Sequence, residues 1–317
     1  MLFDNFTSNE LIKSFLTLNK KHNNQELIFP LTNRGFFSEI NNLALAVLYC
    51  IDNNINIKLS SKNWASGNWK DYFNPIIKEY NGLVNLPSKS IFNLTRVEKI
   101  AALYFKNVKK IDLVQTRYWK KIKHPSFLNK TFLIPELNID GDIFHALQNI
   151  YPIILDFNKL TKNNLIVSNK ETVEFSKNSF GLHIRRGDKV FGNNKEAEEI
   201  QFTDYIEKAI EIDNSINSFI VCTDDYSLIE SIKFKYPEFV FKTLCAPTKS
   251  GYDQTTYNNL KDKNLKSKEV LDVLNDAILL SNSKYFIGTN SSNLSRFVTL
   301  VRNNKNCYSM DKTWYPG

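Results

Sequence analysis

Two of the chain's seven arginines stand side by side in Gly181-Leu-His-Ile-Arg-Arg-Gly-Asp-Lys-Val190. The stretch opens as an apolar run and ends in two guanidinium groups, a glycine, an acid and a lysine. An arginine fork grips two oxygens at once and keeps its charge at any physiological pH, so Arg185 and Arg186 at a strand end suit a diphosphate. His183 reads either as a satisfied strand-end histidine or as a group of the site. Asp188 reads either as a ligand contact or as the acid that holds one of the arginines in place. Asp224-Asp225 follows a second apolar run, and one of the two acids caps the helix that comes next. A metal-binding acid pair more typically has its two acids separated by one residue. Asp276 sits at the edge of the stripe Val270, Val273, Leu274, Ala277 and Leu280, where a carboxylate needs a partner. Ser291 and Ser292 open a further helix, whose free N–H groups and hydroxyls form a natural phosphate cradle.

The elements that must position these residues are short and apolar. Phe180–Ile184, Phe219–Cys222, Val240–Leu244, Tyr285–Ile287 and Cys307–Met310 read as strands. Helical spacing covers Thr203–Ile212, Tyr226–Tyr236, Lys268–Ser281 and Ser292–Arg302 between them. Strands without alternation, separated by helices, predict a parallel sheet covered on both faces. Upstream, Glu26–Pro30, a helix from about Ser38 to Asp52 and Ile55–Leu59 form a βαβ unit. Gly35 lies in the turn that enters the helix, Ser38 is its expected N-cap and Asn53-Asn54 its stop. Further helices are expected near Ile91–Phe105 and Ile143–Leu160. The fold class is thus α/β with two doubly wound domains, 1–165 and 166–317, and linker-like sequence at Asn163–Val173. Ligands of such sheets bind beyond the carboxyl ends of the strands.

At 317 residues, 42% of them hydrophobic, the chain can bury a core in each domain. Its net charge is +8, but Lys supplies 34 of the 41 basic residues and is scattered with Asn. That pattern lacks the stripe and recognition motif of a nucleic-acid binder. It leaves room for an anionic ligand or a peripheral membrane association. No uncharged apolar run exceeds the nine residues Leu43–Ile51, so no integral membrane contact is expected. The first residues lack a signal-peptide layout, and the four cysteines form no CxxC pair. No metal site and a cytoplasmic location are the expectations.

The arginine stretch, read as HxRRxDK followed by Val, resembles the donor-binding motif of the α1,6-fucosyltransferases that act on N-glycan cores and of the related nodulation fucosyltransferases. Three more stretches agree in order. Val221–Ile229 with Lys235–Phe239 resembles the family's ATDDPSLL…KYP segment, and Val270–Arg296 its LD…LSxAD…CTFSSxxxR segment. Arg34–Ile40 is similar to a GYGxQL turn. The resemblance covers 179–311 well, 33–59 modestly and 60–177 not at all. It implies a GT-B-like fold whose two Rossmann-type domains face a central cleft. It also implies GDP-fucose as donor, inversion at the anomeric carbon and no metal or other cofactor.

Carried over by position, Arg185 holds the diphosphate beside His183, Arg186 and Asp188. Lys189 lies near the sugar or the acceptor, Asp276 faces the guanine and Ser292 binds the donor with Ser291. Asp224 and Asp225 match the family's TDD, Tyr205 a family tyrosine, and Gly35-Phe36 the facing turn, with Phe36 in place of tyrosine. The family's base, a glutamate, falls on or near Asn193 here, inside an apparent insertion. Glu196 is the first substitute, then Glu198 and Glu199, with Asp188 and Glu39 behind them. The acceptor, a glycan hydroxyl, is not legible; Trp64, Trp69, Tyr72 and Phe73 read as an aromatic core cluster or as a sugar platform. Three alternatives stay open: another nucleotide sugar, an inactive nucleotide-sugar or glycan binder, and a basic adaptor.

Overall fold

The structure, a computed structural model, describes residues 9–22, 25–80, 111–113, 118–166, 169–191, 195 and 197–316, with isolated positions 96, 97, 100 and 104. The described residues of 4–162 form one compact unit and those of 163–315 another.

The first unit begins with α1 (Asn9–Lys21), β1 (Glu26–Pro30), α2 (Phe36–Asp52), β2 (Asn56–Ser60) and β3 (Ile111–Leu113). The strands form a parallel sheet in the order β2-β1-β3. Helix α2 starts two residues before the expected Ser38, with Gly35 as N-cap. Its first turn is fixed from inside: the buried Glu39 carboxylate accepts from Thr32 N (3.1 Å) and Thr32 Oγ1 (2.9 Å). The helix stops as expected at Asn53, and Asn54 turns the chain with φ of 55°.

Beyond β3 come α3 (Trp119–Ile122), α4 (Pro125–Leu128), an antiparallel hairpin of β4 (Phe132–Ile134) and β5 (Ile139–Gly141), α5 (Ile143–Ile154) and α6 (Lys159–Asn164). Asp142 caps α5 through His145 N at 3.0 Å, and Tyr151 bonds Asn41 across to α2 at 2.8 Å. The one helix expected over Ile143–Leu160 is therefore two, and that expected near Ile91–Phe105 lies outside the described residues. Trp64, Trp69, Tyr72 and Phe73 are all buried and pack ring on ring, Trp69 and Phe73 with centroids 4.3 Å apart. They are core.

The second unit comprises α7 (Lys170–Lys177), β6 (Phe180–Ile184), the single turn α8 (Gly187–Val190), α9 (Phe202–Ile212), β7 (Ser218–Thr223), α10 (Tyr226–Lys235), β8 (Val240–Lys242), α11 (Gln254–Asn259), α12 (Lys263–Asn282), β9 (Tyr285–Gly288), α13 (Asn293–Val301) and β10 (Cys307–Ser309). The stretch expected as linker, Asn163–Val173, instead holds the end of α6 and the start of α7, which Asn169 caps through Thr172 N. All five strands are parallel, in the order β10-β9-β6-β7-β8. Renumbered within the unit, that is 5-4-1-2-3, the Rossmann order. Its switch point lies between β6 and β9, the place where doubly wound sheets bind ligands. Among the described residues, no helix is long and apolar enough to cross a membrane.

Candidate active site

Strand β6 is buried along its whole length and ends at Ile184, so the next residues emerge at the carboxyl edge of the sheet. The chain turns there through Gly187, whose φ of 55° belongs to the left-handed region. A Cβ on Gly187 would stand 2.4 Å from Tyr252 O and 2.6 Å from Asp224 Oδ2, so only glycine fits. This turn lets Arg185 and Asp188 face each other.

Arg185 is gripped on several sides. Its Nη2 donates to Asp188 Oδ1 at 3.1 Å, and its Nε lies 3.5 Å from Asp224 Oδ2. The guanidinium carbon stands 5.1 Å from the centroid of the Tyr252 ring. A quarter of the side chain remains exposed. The two acids are themselves held. Asp188 accepts from Gln254 N at 3.0 Å; Asp224 accepts from Arg186 N at 2.7 Å and Tyr252 N at 3.1 Å. Both carboxylates thus act on Arg185 and on backbone. For Asp188, of its two readings, this geometry is the anchoring one.

The remaining residues of the arginine stretch divide. His183 is buried, with Nδ1 2.7 Å from Ser295 Oγ, tying β6 to the first turns of α13. Burial, helped by the Arg185 charge, holds its pKa down to about 4, so the ring is neutral at pH 7. Arg186 turns the other way, donating to Ile200 O at 3.1 Å and facing Glu199 at 3.7 Å. It pins the loop before α9 and is buried there, which moves it from ligand fork to loop anchor. Lys189 lies partly exposed on α8.

Two acids were read at the end of β7, and each has a separate job. Asp225 caps α10 through Ser227 N at 3.0 Å, while Asp224 serves Arg185. Ser292 is the N-cap of α13, yet its hydroxyl makes no capping bond. Ser291 behaves differently from expectation. Its N–H, with that of Asn290, donates to the Asp311 carboxylate at 3.0 and 2.6 Å. That part of the expected cradle is already filled by an internal anion, and the Ser292 end remains.

Asp276, on α12, is partly exposed, and Cys222 Sγ lies 3.9 Å from its carbonyl oxygen. Desolvation pushes its carboxyl up to about 7. Between pH 4 and 7 the folded state then holds more protons than the unfolded one, so this group's contribution to stability falls as pH rises. Asp276→Asn removes that loss. The variant is expected to gain on the wild type by about 1–3 kcal/mol between pH 5 and pH 8 in urea unfolding. A stability difference that does not change with pH would contradict it.

Several sequence-derived site residues have other partners, stand in solvent or lie outside the described residues. Tyr205 is 2% exposed and packs in the core with Ile184, Ile206 and Ile229, because α9 turns that face onto the sheet. Phe36 is buried against Trp64 and Phe73, with stacked rings 5.5 and 6.5 Å apart. Its aromatic character serves the core of its own unit, where Gly35 caps α2. Glu198 is 86% exposed and paired with Lys195 at 2.7 Å. Glu196 and Asn193 lie outside the described residues. Sequence reasoning overlooked Tyr252, Ser295 and Asp311, whose partners are far away along the chain.

The family profile described as Alpha-(1,6)-fucosyltransferase N- and catalytic domains matches residues 35–306. Among solved structures, a mutant of Arabidopsis thaliana FUT1 in complex with GDP superposes with a TM-score of 0.52 at 10% identity, covering 92% of this chain and 73% of that one. NodZ α-1,6-fucosyltransferase co-crystallised with GDP gives 0.51 at 12% identity, covering 87% and 92%. No curated protein sequence matches. The fold is GT-B, a glycosyltransferase architecture. The chain belongs to the α-(1,6)-fucosyltransferase family.

Proposed function

We propose that the protein transfers fucose from GDP-fucose to a glycan hydroxyl, with inversion at the anomeric carbon and without a metal. The observation that carries this reading is the anchored Arg185 guanidinium at the carboxyl end of β6, the strand that borders the switch point. The family match and the two GDP-bound neighbours support the donor. Arg185 and the α13 start, led by Ser292, offset the charge that grows on the departing GDP. His183, neutral at pH 7, couples these two elements through Ser295. An acid of the loop after Val190 takes the proton of the acceptor hydroxyl as it attacks C1.

Metal independence rests on charge already in place. Arg185 supplies the positive field that a divalent ion gives other transferases. Asp224 and Asp225 are committed to Arg185 and to backbone N–H groups. GDP release from GDP-fucose over a panel of glycans is therefore expected to persist in EDTA. Activity that vanishes with chelator and returns with Mn²⁺ or Mg²⁺ would overturn that part of the reading. A reducing, cytoplasmic setting is part of the same proposal, supported by the free thiols of Cys50, Cys222, Cys245 and Cys307.

A further inference from the structure

The segment from Lys249 to Gln254 lies across the carboxyl ends of β6 and β7, and five hydrogen bonds of its backbone tie it there. Lys249 O accepts from Tyr226 N at 2.9 Å, and Gly251 N donates to Asp224 O at 2.7 Å. Tyr252 N donates to Asp224 Oδ2 at 3.1 Å, Tyr252 O accepts from Asp188 N at 2.9 Å, and Gln254 N donates to Asp188 Oδ2 at 3.0 Å. Gly251, with φ of 105°, lets the segment close onto Gly187: a Cβ on Gly251 would stand 3.2 Å from Gly187 Cα. The two acids that grip Arg185 are thus the two acids that hold this segment. The segment in turn lays the Tyr252 ring against the guanidinium.

We propose that Tyr252 is a positioning residue for Arg185, its ring fixing the guanidinium in the orientation that receives the diphosphate. The inference rests on the donor reading above. Asp188 hydrogen-bonds one edge of the guanidinium and Asp224 stands 3.5 Å from another, which leaves rotation out of their plane to be restrained by a face contact. An aromatic face at 5.1 Å supplies it through the attraction between a cation and the ring quadrupole. A guanidinium that spends only part of its time in the receiving orientation weakens diphosphate binding by that fraction. The backbone bonds of Tyr252 do not depend on its side chain, so a substitution removes the ring and leaves the segment's anchors.

The test uses the full chain and two measurements. Without nucleotide, the Nε–H resonance of Arg185, assigned by its loss in Arg185→Ala, is expected to carry a ring-current shift in the wild type and in Tyr252→Phe. It is expected to lose that shift in Tyr252→Leu. A wild-type resonance free of any ring-current shift would overturn the proposal even if Tyr252→Leu failed to fold. In calorimetric titration with GDP, Tyr252→Phe is expected to bind within about twofold of wild type and Tyr252→Leu about tenfold more weakly. In an Arg185→Ala background, whose weakened GDP binding is titrated at high nucleotide concentration, the Leu substitution should add no further loss. Equal GDP affinity of Tyr252→Leu and wild type, or the same loss with Arg185 absent, would refute positioning. A wild type that shows the ring-current shift and ignores GDP would instead refute the donor reading while leaving Tyr252 as the partner of Arg185.

Discussion

Arg185→Lys is expected to be nearly as damaging as Arg185→Ala, each losing about 10²–10³ in transfer rate. The reason is geometry. The guanidinium is held from the side by Asp188 at 3.1 Å and Asp224 at 3.5 Å, with the Tyr252 ring against it. An ammonium can pair with an acid, but a point charge cannot grip two diphosphate oxygens in a plane while its other edge stays held. Asp188 and Asp224 would then face the leaving phosphate without the delocalised charge that now lies between them, which adds repulsion to the lost attraction. Steady-state GDP release decides it. Wild-type turnover in Arg185→Lys would mean that only charge is used there.

Glu196→Gln is expected to suppress transfer by about 10²–10⁴ and leave GDP affinity unchanged. A base is needed once the acceptor hydroxyl attacks, and the loop after Val190 offers three glutamates. Two have other engagements. Glu198 stands in solvent with Lys195, and Glu199 faces Arg186, which also ties down Ile200. Glu196 is the first acid after Val190 and so needs the shortest detour back toward Arg185. Loss of a proton acceptor raises the barrier to transfer and hardly touches the leaving nucleotide. A drop in GDP affinity instead would make Glu196 a structural or donor-binding residue, and normal transfer would move the base elsewhere.

The sheet that carries Arg185 was legible because its central strands β6, β7 and β9 are short apolar runs buried on both faces, which need no register to be recognised. Its order was not legible, since β9 joins β6 across 100 residues of intervening chain. Helix α1 escaped notice because only Leu11, Phe15 and Asn19 of its residues are buried, too thin a stripe to stand out among Lys and Asn. The first turn of α12 escaped for a similar reason: it is polar and exposed, and its Asp262 cap lies among other polar residues. The arginine stretch was readable by residue type, but the division of labour within it was not. Whether Arg186 turns toward a ligand or toward Ile200 depends on where the folded chain brings Glu199 and Ile200. Phe36 and Tyr205 show the same limit, since an aromatic side chain is equally at home in a core and at a sugar site. Tyr252 and Asp311 carry no local motif, and their importance exists only once the chain has folded.

Nucleotide selectivity tests the central claim most directly, that the site at Arg185 takes the diphosphate of a guanine nucleotide. Thermal unfolding of the full chain in EDTA, with GDP, GDP-fucose, UDP and UDP-sugars at equal concentration, reads it by mass action. A guanine nucleotide at 100 times its Kd adds about 2.7 kcal/mol of stability. The account predicts a shift of that order with GDP and GDP-fucose, little with the uridine compounds, and a much smaller one with GDP in Arg185→Ala. An equal or larger shift with UDP, or a full GDP shift without Arg185, would contradict it.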